Sequence, residues 1–408
     1  MTLPTYSSET KSGRALAPDK SQELGGHQKE AKSVPKKRIC HVIHQDGAGG
    51  GPVTVINHIT SYVDCFQLLV LHGGSGGIAR TCKTLNISHR RIGLDRVSRV
   101  PIGFMQLLYY FWRFRPDLVM LHGQWAAPVG AVAARLSGIN KIIYICHWPA
   151  FYTDWDLRRV IRNHLCEAIP SRLASRVIAL SESNYYQYLI RACVPEGRLL
   201  SIPNPIDIEN LPGPEEASGI RARYGWADDT CHIVSVGRLS TQKRLDWLLR
   251  SWATVIRKTS RAKLWIVGDG ELEHELKRLA EELQLGESCV FLGSRSRGVG
   301  FVAASDVVAF TSLYEALGNV ALEAMACGKP IVASKVDGIR DSYRDGREGF
   351  LVPPGDIQLF AERLTRLIED PLLRRKMGEA GKAAAREFAK PLIMPRYRRV
   401  IDSVLAEP

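Results

Sequence analysis

Short apolar runs that end in small or polar residues recur along this chain with amphipathic stretches between them, and the whole alternation happens twice. RICHVIH, FQLLVLHGG, DLVMLHG, KIIYICHW and RVIALSES make the first series; HIVSVGR, KLWIVGDG, CVFLGS, DVVAFTS and KPIVAS make the second. Runs that are apolar on both faces and too short for a buried helix read as strands covered from both sides. Strands alternating with helices specify an α/β fold built on a doubly wound parallel sheet. Between the two series lies SIPNPIDIENLPGPEEASG, whose Pro, Gly and Asn content marks a linker near residue 205. The expected organisation is two Rossmann-like domains, residues 38–205 and 206–388, facing a cleft, with a last helix at 389–408 packing back on the first domain. Residues 1–37 are rich in Ser, Lys, Gln, Pro and Gly, hold too few large apolar side chains to offset the entropy of ordering, and read as a disordered basic tail.

Charge and cysteine content narrow the partners. A net charge of +13 favours an anionic one: nucleic acid, an acidic membrane face or a phosphorylated small molecule. Nine cysteines, an odd number with no CxxC pair and no metal-ligand spacing, read as reduced thiols. The start, MTLPTYSSETKSGRALAPDK, has no signal-peptide core, and no run reaches the roughly 20 apolar residues of a membrane span. A cytoplasmic protein is expected, with peripheral contact at the inner face of the cell membrane left open.

In the second series, SVGRLSTQKRLDWLL closes a strand at Gly237 and places Arg238 and Lys243 on one short loop. A planar guanidinium fork and a compact ammonium suit a diphosphate, although two cations on a surface loop are also commonly just solvated. Further on, TSLYEALGNVALEAMACGKPIVAS sets Glu315 and Glu323 on either side of Gly318, Asn319 and Val320. If those three residues open a helix, their N–H groups face an anion, and carboxylates nearby suit the hydroxyls of a sugar. Alone, the pair reads equally as two exposed helix glutamates.

Taken in order, these motifs resemble the family-4 retaining glycosyltransferases of the GT-B fold. VSVGRLSTQKRLDWLL resembles the family's phosphate loop, KLWIVGDGELEHELKRLA its next strand-turn-helix, CVFLGSRSR its nucleobase-side loop, and the Glu315 to Glu323 stretch its E-x7-E signature, with REGFLVPPGD closing the series. The resemblance implies that Arg238 and Lys243 hold the donor diphosphate, that Glu323 takes the nucleotide ribose, and that Glu315 with Gly318, Asn319 and Val320 holds the donor sugar and its phosphate. Leu292 and Ser294 would border the base. The chain departs from the family at Ala316-Leu317, where Gly-Phe is commoner, and at Asn319. Those positions border the sugar pocket.

The first half is similar to the family over fewer residues. GAGGGPVTV resembles its glycine-rich loop, which implies close approach to the ligand at Gly49 and Gly50, while a plain tight turn is the alternative. IIYICHWPAFY implies that His147 lies near the donor sugar, whereas His122 reads as scaffold. Tyr152 and Asp154 to Asp156 fall in an acceptor-side loop that follows no rule. The DWD of that loop is not taken as a metal-binding DxD, and neither a metal nor a cofactor is expected.

Residues 80–115 hold eight Lys/Arg against one acid, Asp95. The stretch from Phe104 to Trp112 is too short to span a bilayer, and the segment 90–115 reads either as a helix lying on an anionic membrane or as an ordinary core helix with solvated ends. The expected activity is transfer of a sugar from a nucleotide-diphosphate sugar to an acceptor sugar or glycolipid in polysaccharide or glycolipid assembly. A non-catalytic nucleotide-sugar-binding protein of the same fold is the alternative. An NAD-dependent oxidoreductase lacks its G-x-G-x-x-G, and no nucleic-acid-binding module is recognisable.

Overall fold

The computed structural model describes residues 35–45, 51–74, 76–123, 125–147, 157–192, 194–295 and 297–408. The tail expected to be disordered lies almost wholly outside the described residues.

The first sheet and its helices run β1 (Arg38–Ile43), α1 (Gly51–Tyr62), β2 (Gln67–His72), α2 (Gly77–Thr84), β3 (Ser88–Arg91), α3 (Val100–Phe114) and β4 (Leu118–His122). They continue with α4 (Ala126–Leu136), β5 (Ile142–Cys146), α5 (Leu157–Leu173), β6 (Arg176–Ala179), α6 (Glu182–Arg191) and β7 (Leu199–Ser201). All neighbours pair in parallel in the order β3-β2-β1-β4-β5-β6-β7. The central strands LVMLH and IIYIC are buried at every position, as strands covered by helices on both faces must be.

The second half runs α7 (Pro214–Arg223), β8 (Cys231–Val236), α8 (Leu245–Ile256), β9 (Ala262–Val267), α9 (Glu273–Glu282), β10 (Cys289–Gly293) and α10 (Gly298–Ala304). Next come β11 (Val307–Phe310), α11 (Asn319–Ala326), β12 (Ile331–Ser334), α12 (Asp337–Ser342) and β13 (Gly349–Val352), and finally α13 (Ile357–Glu369), α14 (Pro371–Ala385) and α15 (Lys390–Ala406). Its six strands, also parallel, order as β10-β9-β8-β11-β12-β13. Strand order reverses between β1 and β4 in one sheet and between β8 and β11 in the other. A ligand crevice opens at such a point, beyond the carboxyl ends of the strands.

Three strands escape the sequence reading because each is a short sheet-edge strand. β3 is SHRR, mostly exposed and polar; β7 is only LLS; β13, GFLV, is buried but sits inside a turn-rich segment. The stretch read wholly as linker also contains α7. Pro214 opens that helix, Glu215 and Glu216 fill its first turn, and Arg221 and Arg223 its last. Proline at the first helical position starts a helix rather than breaking one, and the charges complement the helix dipole.

Helix α15 lies against the first sheet's side of the molecule. Tyr62 in α1 donates a 2.6 Å hydrogen bond to the Met394 carbonyl, Arg176 of β6 pairs with Glu407 at 2.6 Å, and the Tyr397 ring meets His58 of α1 edge-on at 4.5 Å. The last helix thus completes the core beneath α1 although it follows the second sheet in sequence.

Candidate active site

Two loops at the carboxyl ends of β8 and β11 are fastened into one unit. The N–H of Leu313 bonds the Gln242 carbonyl, the Gln242 side-chain amide bonds the Tyr314 carbonyl, and the Thr311 hydroxyl bonds the carbonyls of Lys243 and Arg244. This brings Lys243 onto Glu315: Nζ lies 2.5 Å from Oε1, and the Ser312 hydroxyl donates to the same oxygen at 2.7 Å. Glu315 is buried, and the two donors share one of its carboxylate oxygens. Arg244 is committed to Asp246 by two bonds of 2.8 and 2.7 Å and stacks on Trp247. Arg238, by contrast, projects into solvent beside Glu271 at 3.3 Å and is free to swing onto an anion.

Gly318 caps α11 with φ of +78°, a left-handed conformation that suits glycine. A Cβ there would also fall 2.3 Å from the Ile339 side chain. No acidic side chain fills the first turn of α11, and the helix rule leaves the N–H groups of Asn319 and Val320 without intrahelical partners. Glu323, one turn further along, is partly exposed and has no side-chain hydrogen bond or ion pair among the described residues. Its carboxyl is nonetheless largely removed from water, which pushes it up to about 7, while part of the residue still reaches solvent. Leu292 is half-buried in β10, and Ser294 is exposed just beyond it.

The opposite wall is made of imidazoles. His41 Nδ1 lies 3.1 Å from His122 Nε2, and His122 Nδ1 lies 3.1 Å from His147 Nε2, so three strands contribute to one hydrogen-bonded row at the mouth of the first sheet. His58 of α1 packs edge-on against His41 and His122. Burial holds all of them neutral: His41 and His147 are lowered to about 3, and His58 and His122 well below the usual range, with neighbouring imidazoles adding to the effect. A row of neutral rings needs one proton per link, which couples the tautomers, so that all protons point the same way along the row. His147 Nδ1 remains without a partner among the described residues.

Gly49, Gly50, Tyr152 and Asp154 to Asp156 lie outside the described residues. The glycine that the structure ties to His147 is Gly51, where a Cβ would sit 3.2 Å from the imidazole Cδ2. His122, taken as scaffold from sequence, is the middle of the row. His41, in the RICHVI strand, joins the row although no local spacing sets it apart from the other strand histidines.

Asparagines join the two sides. Thr54 in α1 donates to Asn204 Oδ1 at 2.8 Å, and Asn204 Nδ2 donates to Asn319 Oδ1 at 2.9 Å, so a side chain in the linker spans from α1 to the first residue of α11. Asn184 of α6 donates to the carbonyl of Ala316, and Ser183 bonds Asp341 of α12 through both its N–H and its hydroxyl. Loops beyond the carboxyl ends of both sheets therefore meet. These links had no local sequence signal.

Two parallel sheets with their loop ends brought together, one lined by neutral imidazoles and the other by a lysine, a carboxylate and an open helix N-terminus, define a glycosyltransferase of the GT-B type. The comparisons agree. Residues 49–210 match the model of Glycosyltransferase Family 4 and residues 218–384 that of Glycosyl transferases group 1. The lipopolysaccharide core biosynthesis glycosyltransferase LpsE of Rhizobium meliloti is 30% identical over 342 residues, which cover 83% of this chain and 90% of that one. A GDP-mannose-dependent monoacylated alpha-(1-6)-phosphatidylinositol monomannoside mannosyltransferase of Corynebacterium glutamicum is 32% identical over 296 residues, 68% of this chain and 74% of its own. Anabaena Alr3699/HepE, crystallised with UDP-glucose, superposes with a TM-score of 0.80 at 25% identity, covering 90% of this chain and 99% of that one. The chain belongs to glycosyltransferase family 4.

Proposed function

We propose that the protein moves a hexosyl unit from a nucleotide-diphosphate sugar to an acceptor hydroxyl, with retention at the anomeric carbon and without a metal ion. The observation that carries this is the fastened pair of loops that presents Lys243 and Glu315 beside the open N-terminus of α11. As the glycosidic bond breaks, negative charge grows on the departing nucleoside diphosphate. Lys243, Arg238 and the first N–H groups of α11 are charges and dipoles of the sign that stabilises it.

Glu323 accepts hydrogen bonds from the ribose, and Glu315, held in place by Lys243 and Ser312, accepts them from the donor sugar. His147, neutral and oriented by His122, offers its Nδ1 to a sugar hydroxyl. Gly318, Asn319 and Val320 surround the sugar's phosphate, with Leu292 and Ser294 on the side of the base and Gly49 and Gly50 across the crevice. With the main counter-charges supplied by the protein, no divalent cation is required. The acceptor is a growing polysaccharide or a glycolipid, in line with the lipopolysaccharide core and phosphatidylinositol mannoside assembly named for the two relatives. A lipid-linked acceptor goes with peripheral contact at an anionic membrane face through residues 90–115.

The test is a thermal-shift titration with UDP, GDP, ADP and dTDP, with and without Mg²⁺, followed by a transfer assay with the matching sugar nucleotides. A nucleotide at a hundred times its Kd stabilises the fold by about 2.7 kcal/mol. One nucleotide is expected to shift the melting temperature without Mg²⁺, with the shift reduced in Glu323→Ala. Nucleotide binding with no turnover of any sugar nucleotide, by transfer or hydrolysis, would leave the non-catalytic binding protein instead.

A further inference from the structure

Helix α5 is turned inside out. Its sequence, LRRVIRNHLCEAIPSRL, places Ile161, Leu165 and Ile169 one turn apart, the spacing of a core stripe, yet they are 50%, 60% and 39% exposed. Asn163, Glu167 and Ser171, on the opposite stripe, are buried. The cause is Glu167, whose Oε2 accepts 2.6 Å hydrogen bonds from the hydroxyls of both Tyr144 in β5 and Tyr188 in α6. Rotating α5 to hide its isoleucines would break both bonds and take the carboxylate away from two buried tyrosine hydroxyls. The apolar stripe is held outward.

It does not stand alone. α4 packs against α5 on one side and α3 on the other, and α3 exposes Ile102, Met105, Tyr109 and Trp112, each by more than half. Leu136 at the end of α4 is exposed between them. Single exposed apolar residues are ordinary, whereas exposed apolar stripes repeated on neighbouring helices mark a docking surface. The three helices contain six arginines, at 113, 135, 158, 159, 162 and 172, and one acid, the buried Glu167.

We infer that the outer layer formed by α3, α4 and α5 seats on an anionic lipid bilayer, with the apolar side chains in the headgroup boundary and the exposed Arg113, Arg135, Arg158, Arg162 and Arg172 on the lipid phosphates. Among the described residues no helix is long and apolar enough to cross a membrane, so the layer lies on the surface. Charge selects the bilayer over a second copy of the chain, because two such faces brought together would oppose arginine to arginine with no exposed acid on these helices between them. The inference rests on the lipid-linked reading above, widens its contact from residues 90–115 to α5, and makes α5 an obligatory half of the surface.

The experiment is co-sedimentation of the full chain with vesicles of phosphatidylcholine alone or with about 30% phosphatidylglycerol, near physiological salt. Wild type is expected to pellet only with the anionic vesicles. Ile161→Ser/Leu165→Ser/Ile169→Ser and Ile102→Ser/Trp112→Ser are each expected to lower the bound fraction about fivefold or more, as is Arg158→Glu/Arg172→Glu, with melting temperature and nucleotide response retained. Wild type that fails to pellet, or α5 variants that pellet as wild type does, would overturn the proposal. So would a concentration-dependent dimer broken by the same substitutions in the absence of vesicle binding. Vesicle binding needs neither donor nor acceptor: binding without sugar transfer sinks the enzymatic reading alone, and transfer to a water-soluble acceptor without vesicle binding sinks only this one.

Discussion

The two walls of the crevice solve opposite electrostatic problems. At the mouth of the second sheet, charge is concentrated and paired: Lys243 against buried Glu315, and Arg238 against Glu271. At the mouth of the first, His41, His58, His122 and His147 are kept uncharged by burial and by one another. Under the proposed function the charged wall faces a diphosphate, which calls for formal charges close at hand, and the neutral wall faces hydroxyls, which call for neutral donors and acceptors in fixed directions. The division of labour follows from where water is excluded as much as from which residues are present.

The sharpest way to break this contrast is to remove charge from the charged wall. Lys243→Ala takes away a cation aimed at the leaving group and leaves Glu315 buried with only Ser312, so kcat is expected to fall on the order of 10²- to 10³-fold in a sugar-nucleotide transfer assay. If Lys243→Ala turns over at the wild-type rate, the charged wall has been assigned to the wrong task.

Adding charge to the neutral wall comes next. His41, His44 and His147 are held at about 3 to 4 in the fold, and His58 and His122 also well below their unfolded value, so between these limits the unfolded chain binds more protons at those sites. Their contribution to stability is therefore present above about pH 6.5 and lost as pH falls. Glu167 and Glu323, raised to about 7, act in the other direction, because their folded forms retain protons that the unfolded chain releases above about 4.5. Five imidazoles outweigh two carboxyls. A net difference of about three protons is expected to lower the unfolding free energy by about 4 kcal/mol per pH unit near pH 5.5, measured by urea titration at several pH values. A flat profile from pH 7 to 5 would mean that the imidazoles reach water.

A smaller effect separates Glu323 from the fixed Lys243–Glu315 pair. Glu323→Gln is expected to weaken nucleotide binding about tenfold at pH 8, and wild-type affinity is expected to tighten as pH rises through 7 and the carboxylate ionises. Calorimetric titration at pH 6 and 8 checks both. Smallest is the loss of the strut between the walls: Asn204→Ala breaks its bonds to Thr54 and Asn319, worth about 1 kcal/mol, and should raise KM for the donor a few-fold with little change in kcat. A change in kcat alone would place Asn204 in the chemistry rather than in the alignment of the two domains.

Much of the second sheet's mouth is legible in sequence because its charged residues and the glycine that opens α11 sit within short segments whose order is itself a pattern. Arg238 and Lys243 share a loop, and Glu315, Gly318 and Glu323 share a strand-to-helix turn. The first sheet's mouth was legible only in part. His147 was singled out, but the row it ends is assembled from residues 81 and 25 positions apart, and no local spacing announces that they touch. Which glycine meets the His147 imidazole depends on where α1 begins, and that start at Gly51 has no local sequence signal.

By itself, then, the sequence determined the strands covered on both faces, the helices between them, and which residues make up the charged wall, since burial imprints a period and the residues of one loop lie close together along the chain. Edge strands, the strut through Asn204, the row of imidazoles and the outward stripe of α5 were decided by tertiary structure alone. In each the deciding partner lies far along the chain or on another element. The same Ile161, Leu165 and Ile169 would be core in another setting, and they face outward here because Glu167 finds its hydrogen bonds on Tyr144 and Tyr188 beneath the helix.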